Sequence, residues 1–201
     1  MWFRLALAAS LLTPVIHIAV LLRSGQDVAA TAIAELSQSP WGALHSAELV
    51  LFSCAHLALA VGLGQRDKGR LWPFGRLLLA ASGLMLLYVA YYFATASLAE
   101  LRGPEANDPL WIVATLTGLA MGALGPGLAR LSRQLGLMSG ICLGLWLWLV
   151  PLILLVDNSW IGAYERLVGT VYVAWTTGLS LGLLRLGHNP HAGSEPPKTL
   201  S

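Results

Sequence analysis

The chain predicts an all-α fold: a polytopic six-helix transmembrane bundle with a short amphipathic helix in its first outer loop. Three observations carry that reading. Of the 201 residues, 56% are apolar and only 11% are charged, against about 25% charged in an average soluble domain; too little polar surface remains to enclose a core in water. A helix needs about 20 apolar residues to cross the hydrocarbon layer, and six stretches offer them: residues 5–22, 44–63, 76–97, 109–129, 137–156 and 164–186. Lysine and arginine, finally, alternate between rich and poor connections, as the loops of a multi-span protein do.

The first span, preceded by Arg4, is longer than the apolar stretch of about 7–15 residues typical of a cleaved signal. It also contains His17, so we expect it to be retained. The connection "SGQDVAATAIAELSQSPWG" places Val28, Ala32, Ile33 and Leu36 on one helical face, which predicts a short amphipathic helix at the outer surface. Glu35 would close that helix, with Trp41 at headgroup depth. In the third span Tyr88, Tyr91 and Tyr92 form either an aromatic belt or part of a ligand pocket. Gly118 and Gly122, then Gly136, Gly140 and Gly144, then Gly178 and Gly182 recur every four residues, and small faces of this kind let membrane helices approach closely. Pro14 and Pro151 each remove a backbone donor from their spans. Trp146 and Trp148 lie near mid-span and point in different directions, so one of them should face lipid. Cys54 and Cys142 sit at different depths and read as packing residues without a disulfide. Residues 1–187 thus form a single six-span membrane domain, and 188–201 a polar tail expected to be disordered.

Orientation follows from the basic residues. With a cytoplasmic N-terminus, Arg4, Arg66, Lys68, Arg70, Arg76, Arg130, Arg133, Arg185 and Lys198 lie inside, and only Arg23, Arg102 and Arg166 outside. Nine against three is the positive-inside pattern of an inner membrane protein of bacteria with both termini cytoplasmic. The basic loop "QRDKGRLWPFGR" suits anionic membrane lipids and reads as an orientation anchor; no nucleic-acid partner is expected.

A first span tolerant of proline and glycine, then Asp27, then "AIAELS" with Glu35 before a small-residue turn, then five further spans ending in "GLLRL", resembles the bacterial six-span membrane family known as domain of unknown function 998. Where that family tends to have a serine before the Glu-Leu pair, this chain has Ala34. The resemblance implies fold and location and carries no reaction with it.

The stretch "LHSAELVLFSCAHLALAVGL" holds the ionisable groups that hydrocarbon rejects. At about 100° per residue, His45, Glu48, Phe52 and His56 share one stripe, which should face the bundle interior, because a charge at the bilayer centre costs about 2.5–3.5 kcal/mol or more. Counting about 1.5 Å per residue puts Glu48 roughly 6 Å and His17 roughly 9 Å below the same surface. His17, His45 and Glu48 therefore meet in the outer third, with Glu35 above them and Arg166 available to pair with Glu48 or Glu35.

Several functions fit. The set merely fastens helices, each His donating to a backbone carbonyl or serine. Or His17, His45, Glu48 and His56 hold the polar head of an amphiphilic small molecule, a lipid, quinone or similar, whose apolar part Phe52, Tyr88, Tyr91 and Tyr92 line. Or a carboxylic acid and a titrating His give acid/base chemistry, as in a small intramembrane enzyme similar to an isoprenoid cyclase, or a proton-coupled transporter. The chain has no nucleophile elbow, HExxH, P-loop or dinucleotide fingerprint. No cofactor is expected. No metal is expected either, because no tight H-x-x-x-H spacing is present, and a bis-histidine haem fails on the roughly 9 Å depth difference between His17 and His56. The balance favours a non-catalytic binding or accessory protein, with a membrane protein partner as a further option.

Overall fold

The computed structural model describes residues 1–66, 68–97, 100 and 108–188. Among them are six long helices and no strand: α1 (Trp2–Ser24), α2 (Gly42–Leu63), α3 (Trp72–Thr95), α4 (Asp108–Leu131), α5 (Arg133–Leu152) and α6 (Ile161–His188). All six are long and apolar enough to cross a membrane. The expected tail beyond residue 188, and Arg102, Glu105, His191 and Lys198, lie outside the described residues.

Each helix packs on its neighbours in sequence, and α6 returns to α1, so the six close into a ring. In lipid the hydrophobic effect gives helices little reason to associate, and dispersion and interhelical hydrogen bonds take its place. Every sequential pair carries such a bond. His17 on α1 meets Glu48 on α2, and the Ser53 hydroxyl on α2 donates to Gly83 O on α3 at 2.6 Å. Ser82 on α3 lies 3.0 Å from the Thr117 hydroxyl on α4. Trp146 Nε1 on α5 donates to Ala114 O on α4, and Trp175 Nε1 on α6 to the Ser139 hydroxyl on α5. The middle of the ring is filled by aromatic side chains: Tyr172 touches Phe52 and His56 at 4.7 Å and Trp146 at 5.4 Å between ring centroids. Its hydroxyl lies 2.7 Å from Ser82 Oγ, tying α6 to α3 across the ring. Tyr172→Phe deletes that cross-ring bond while leaving the ring in place, and should cost about 0.5–1.5 kcal/mol of stability in detergent-based unfolding.

The helix ends differ in part from the expected spans. α5 begins at Arg133, with Ser132 alone separating it from α4, because a long basic side chain can continue a helix while its charge reaches the interface. Pro151 falls in its last turn, and a 3₁₀ turn, Ile153–Leu155, follows. Pro14 lies inside an uninterrupted α1. The next connection turns on Asp157, whose carboxyl is held below the usual carboxylate range by the Ser159 hydroxyl and N–H.

The glycine stripes are only partly interfaces. A side chain at Gly178 or Gly182 would strike Met138 or Leu135, and one at Gly118 the Trp146 indole. These glycines are holes filled by large α5 residues. In the α5 stripe Gly136 closes against Ala129 of α4, but Gly140 and Gly144 face open space, so only the start of that stripe is a close approach and the rest of α5 packs through large side chains. Trp146 is 4% exposed and Trp148 67%, the expected division between interior and lipid. Cys54 and Cys142 are both free thiols.

The helix of the first loop is smaller than the amphipathic segment expected. It is a five-residue 3₁₀ turn, Ala34–Gln38, with Ala34 and Leu36 buried against the bundle, and Val28 on the presumed apolar face is exposed. The loop folds over the ring end instead of lying beside it. Its backbone supplies the reason: Ala29 O accepts the Ala163 N–H, one of the donors that the start of α6 leaves without an intrahelical partner.

Candidate functional site

At the first-loop end of the ring, α1 contributes His17 and α2 contributes His45 and Glu48. His45 and Glu48 stand three residues apart, and side chains at i and i+3 meet on a helix face. His17 Nδ1 lies 2.9 Å from Glu48 Oε1, and His45 Nδ1 3.2 Å from Glu48 Oε2. His45 is 0% and Glu48 5% exposed, while the His17 side chain keeps 16% of its surface open. An ionised carboxylate only accepts hydrogen bonds, so with Glu48 charged both Nδ1 atoms carry a hydrogen. Both Nε2 atoms are buried without a hydrogen-bond partner among the described residues. Phe93 stacks on the His45 ring with centroids 6.3 Å apart and closes the site from α3.

The other residues expected in this site divide differently. His56 lies two turns deeper, with Nδ1 2.7 Å from Phe52 O and its ring against Phe52 and Tyr172. It does what a fastening histidine does, and Phe52 packs with it in the core. Tyr88 and Tyr91 are 50% and 67% exposed, so they face outward as a belt and do not line an interior pocket. Tyr92 is half-buried between Tyr88 and Phe93. Glu35 sits half-buried on the 3₁₀ turn, near enough for its charge to act on Glu165.

Of the two acidic partners expected for Arg166, Glu48 or Glu35, Glu48 pairs with the histidines instead, and Arg166 turns to the first loop. Arg166 Nη1 donates to Val28 O at 2.9 Å and Thr31 O at 3.0 Å, although its charge still reaches Glu48. Beside it Glu165, 7% exposed, accepts the Ile33 N–H at 2.6 Å. The Glu165–Arg166 pair is a clasp that gathers residues 28–33 onto α6. Its only sequence signal is two adjacent charges inside an otherwise apolar run.

Two pockets, of about 360 and 340 Å³, lie at the opposite end of the ring. Lys68, Arg70, Trp72 and Arg130 line the first, and Leu135, Met138 and Arg185 are among the residues of the second.

A ring of six spanning helices, with a histidine–carboxylate cluster buried near one end, defines a multi-pass membrane protein. The chain belongs to the family described as protein of unknown function (DUF998), which matches residues 6–182. No curated protein and no solved structure matches it.

Proposed function

We propose that this is a multi-pass protein of the bacterial inner membrane, both termini cytoplasmic, that acts as a non-catalytic binding or accessory protein through the His17–Glu48–His45 centre on its external side. The orientation is supported by the basic residues Lys68, Arg70 and Arg130 gathered around one pocket at the end away from Glu48. Cysteine labelling tests it: residues introduced at Lys68 or Arg70 should react only after the membrane is permeabilised, and labelling of intact cells there reverses the topology.

One observation carries the binding role. Helix-fastening histidines donate to backbone or hydroxyl groups, as His56 does to Phe52 O, whereas His17 and His45, on two different helices, converge on one buried carboxylate. The open edge of His17 gives a polar head access, and the tail of an amphiphilic small molecule can remain in lipid. A catalytic chamber gains less support, because Phe52, His56, Trp146 and Tyr172 fill the space that a substrate would need beneath the cluster.

Native mass spectrometry of the gently extracted protein tests the reading. A stoichiometric ligand bound to the wild type and lost from Glu48→Gln is expected. Bare wild-type protein sends the cluster back to a fastening role.

A further inference from the structure

We propose that His17, His45 and Glu48 are the three protein ligands of a divalent transition-metal ion of the zinc type. The proposal rests on reading this cluster as a binding centre, and it names what the centre holds. The chemistry is that of a two-histidine, one-carboxylate donor set, which suits zinc and leaves a fourth tetrahedral position open.

Geometry carries it first. With ligands at about 2.0–2.1 Å from zinc, neighbouring ligand atoms of a tetrahedron lie about 3.3–3.4 Å apart. The contacts here are 2.9 Å between His17 Nδ1 and Glu48 Oε1 and 3.2 Å between His45 Nδ1 and Glu48 Oε2. One ligand atom from each of the three residues lies within 4.8 Å of the other two. The two histidine–carboxylate contacts need to open by only a few tenths of an ångström, while the two imidazoles, whose ligand atoms lie within 4.8 Å of each other, would close on the ion by up to about 1.4 Å. Each imidazole needs only to move its hydrogen from Nδ1 to Nε2, so neutral rings become ligands without losing a proton.

Burial is the second argument. The His45 side chain is 0% exposed, yet its Nε2 has no partner among the described residues, and the same holds for buried His17 Nε2. The rings are hydrogen-bonded through the carboxylate alone, with Phe93 stacked on His45, so no second acceptor fixes their tautomer; the Nε2–H formed when the ion takes Nδ1 is a buried donor without an acceptor, a cost that the metal bonds must exceed. A buried carboxylate without a lysine or arginine hydrogen-bonded to it is costly in an apolar interior, and a divalent cation placed among the three groups offsets that cost. The absence of H-x-x-x-H spacing does not count against it, since α1 and α2 each supply part of the set. The fourth position would face the open edge of His17, where a polar head arrives.

The test uses the full chain in detergent, without a histidine tag and with His188→Ala and His191→Ala to remove competing imidazoles. After chelation and dialysis against zinc, elemental analysis should find about one zinc per chain. Cobalt(II) in its place should give the intense visible absorption of a four-coordinate ion. Glu48→Gln and His17→Ala, each checked for a cooperative thermal transition, should weaken zinc binding at least tenfold and abolish the cobalt band. No retained metal in the wild type, or equal retention in both variants, overturns the proposal. If the wild type retains no metal but native mass spectrometry still shows an organic molecule lost from Glu48→Gln, the metal is wrong and the binding centre stands; if neither is found, both fall.

Discussion

Glu48→Ala is expected to lower stability by about 2–6 kcal/mol, because it leaves two buried imidazole donors without an acceptor and each such orphan costs about 1–3 kcal/mol. Glu48→Gln should cost less, since its amide carbonyl still accepts from one of the two rings. The informative comparison is the triple replacement of His17, Glu48 and His45 by leucine. Substituting a whole buried polar set by apolar side chains is often neutral or stabilising, so the triple variant should unfold within about 1 kcal/mol of the wild type. Denaturant unfolding in micelles measures all three. If the triple variant proves as unstable as Glu48→Ala, the cluster holds α1 to α2 and is kept for packing. If it recovers stability while ligand and metal binding vanish, the cluster serves function, since stability alone does not require it.

The part of this site that the sequence revealed is the part that depends on helix geometry. Counting turns brings His45 and Glu48 onto one face, and counting depth brings His17 to the same level; adjacent helices do the rest. The same arithmetic separates His56, two turns below, which the shared stripe had grouped with them. The tyrosines were legible in another way. Ser82, Leu86, Val89 and Phe93 are the buried face of α3, while Leu84, Tyr88 and Tyr91 fall on the opposite one. Ser82, a hydroxyl that lipid would leave unsatisfied, is the unused signal that could have separated the two faces. What the sequence hid is the clasp. Its partners are backbone groups of residues 28–33, more than 130 positions from Glu165 and Arg166, and any residue presents the same carbonyl and N–H. The depth and burial of Glu165 follow only once the loop is seen to fold inward.

That clasp predicts the other large effect, at Gly162. A β-carbon there would lie 2.6 Å from Arg166 Nη1 and 2.8 Å from the Thr31 carbonyl carbon, and closer still to Thr31 O. Backbone cannot yield cheaply, so in Gly162→Ala the loop must lift. Lifting it removes the Ala163 to Ala29 bond, both Arg166 contacts and the N–H that Glu165 accepts. A buried carboxylate then loses its donor, and the expected cost is about 3–5 kcal/mol. Gly140→Ala is the matched control: its β-carbon meets nothing, and alanine is the better helix former by about 0.5–1 kcal/mol. Melting temperature should therefore fall sharply in the first variant and hold or rise in the second. A cysteine at Thr31, buried in the wild type, should label faster only in the Gly162→Ala background. Equal melting temperatures and equal labelling in the two variants would mean that the first loop is held by its own 3₁₀ turn. In the expected case the start of α6 governs access to the end of the ring where Glu48 is buried, so ligand exchange at the cluster should quicken in Gly162→Ala although no residue of the cluster has changed.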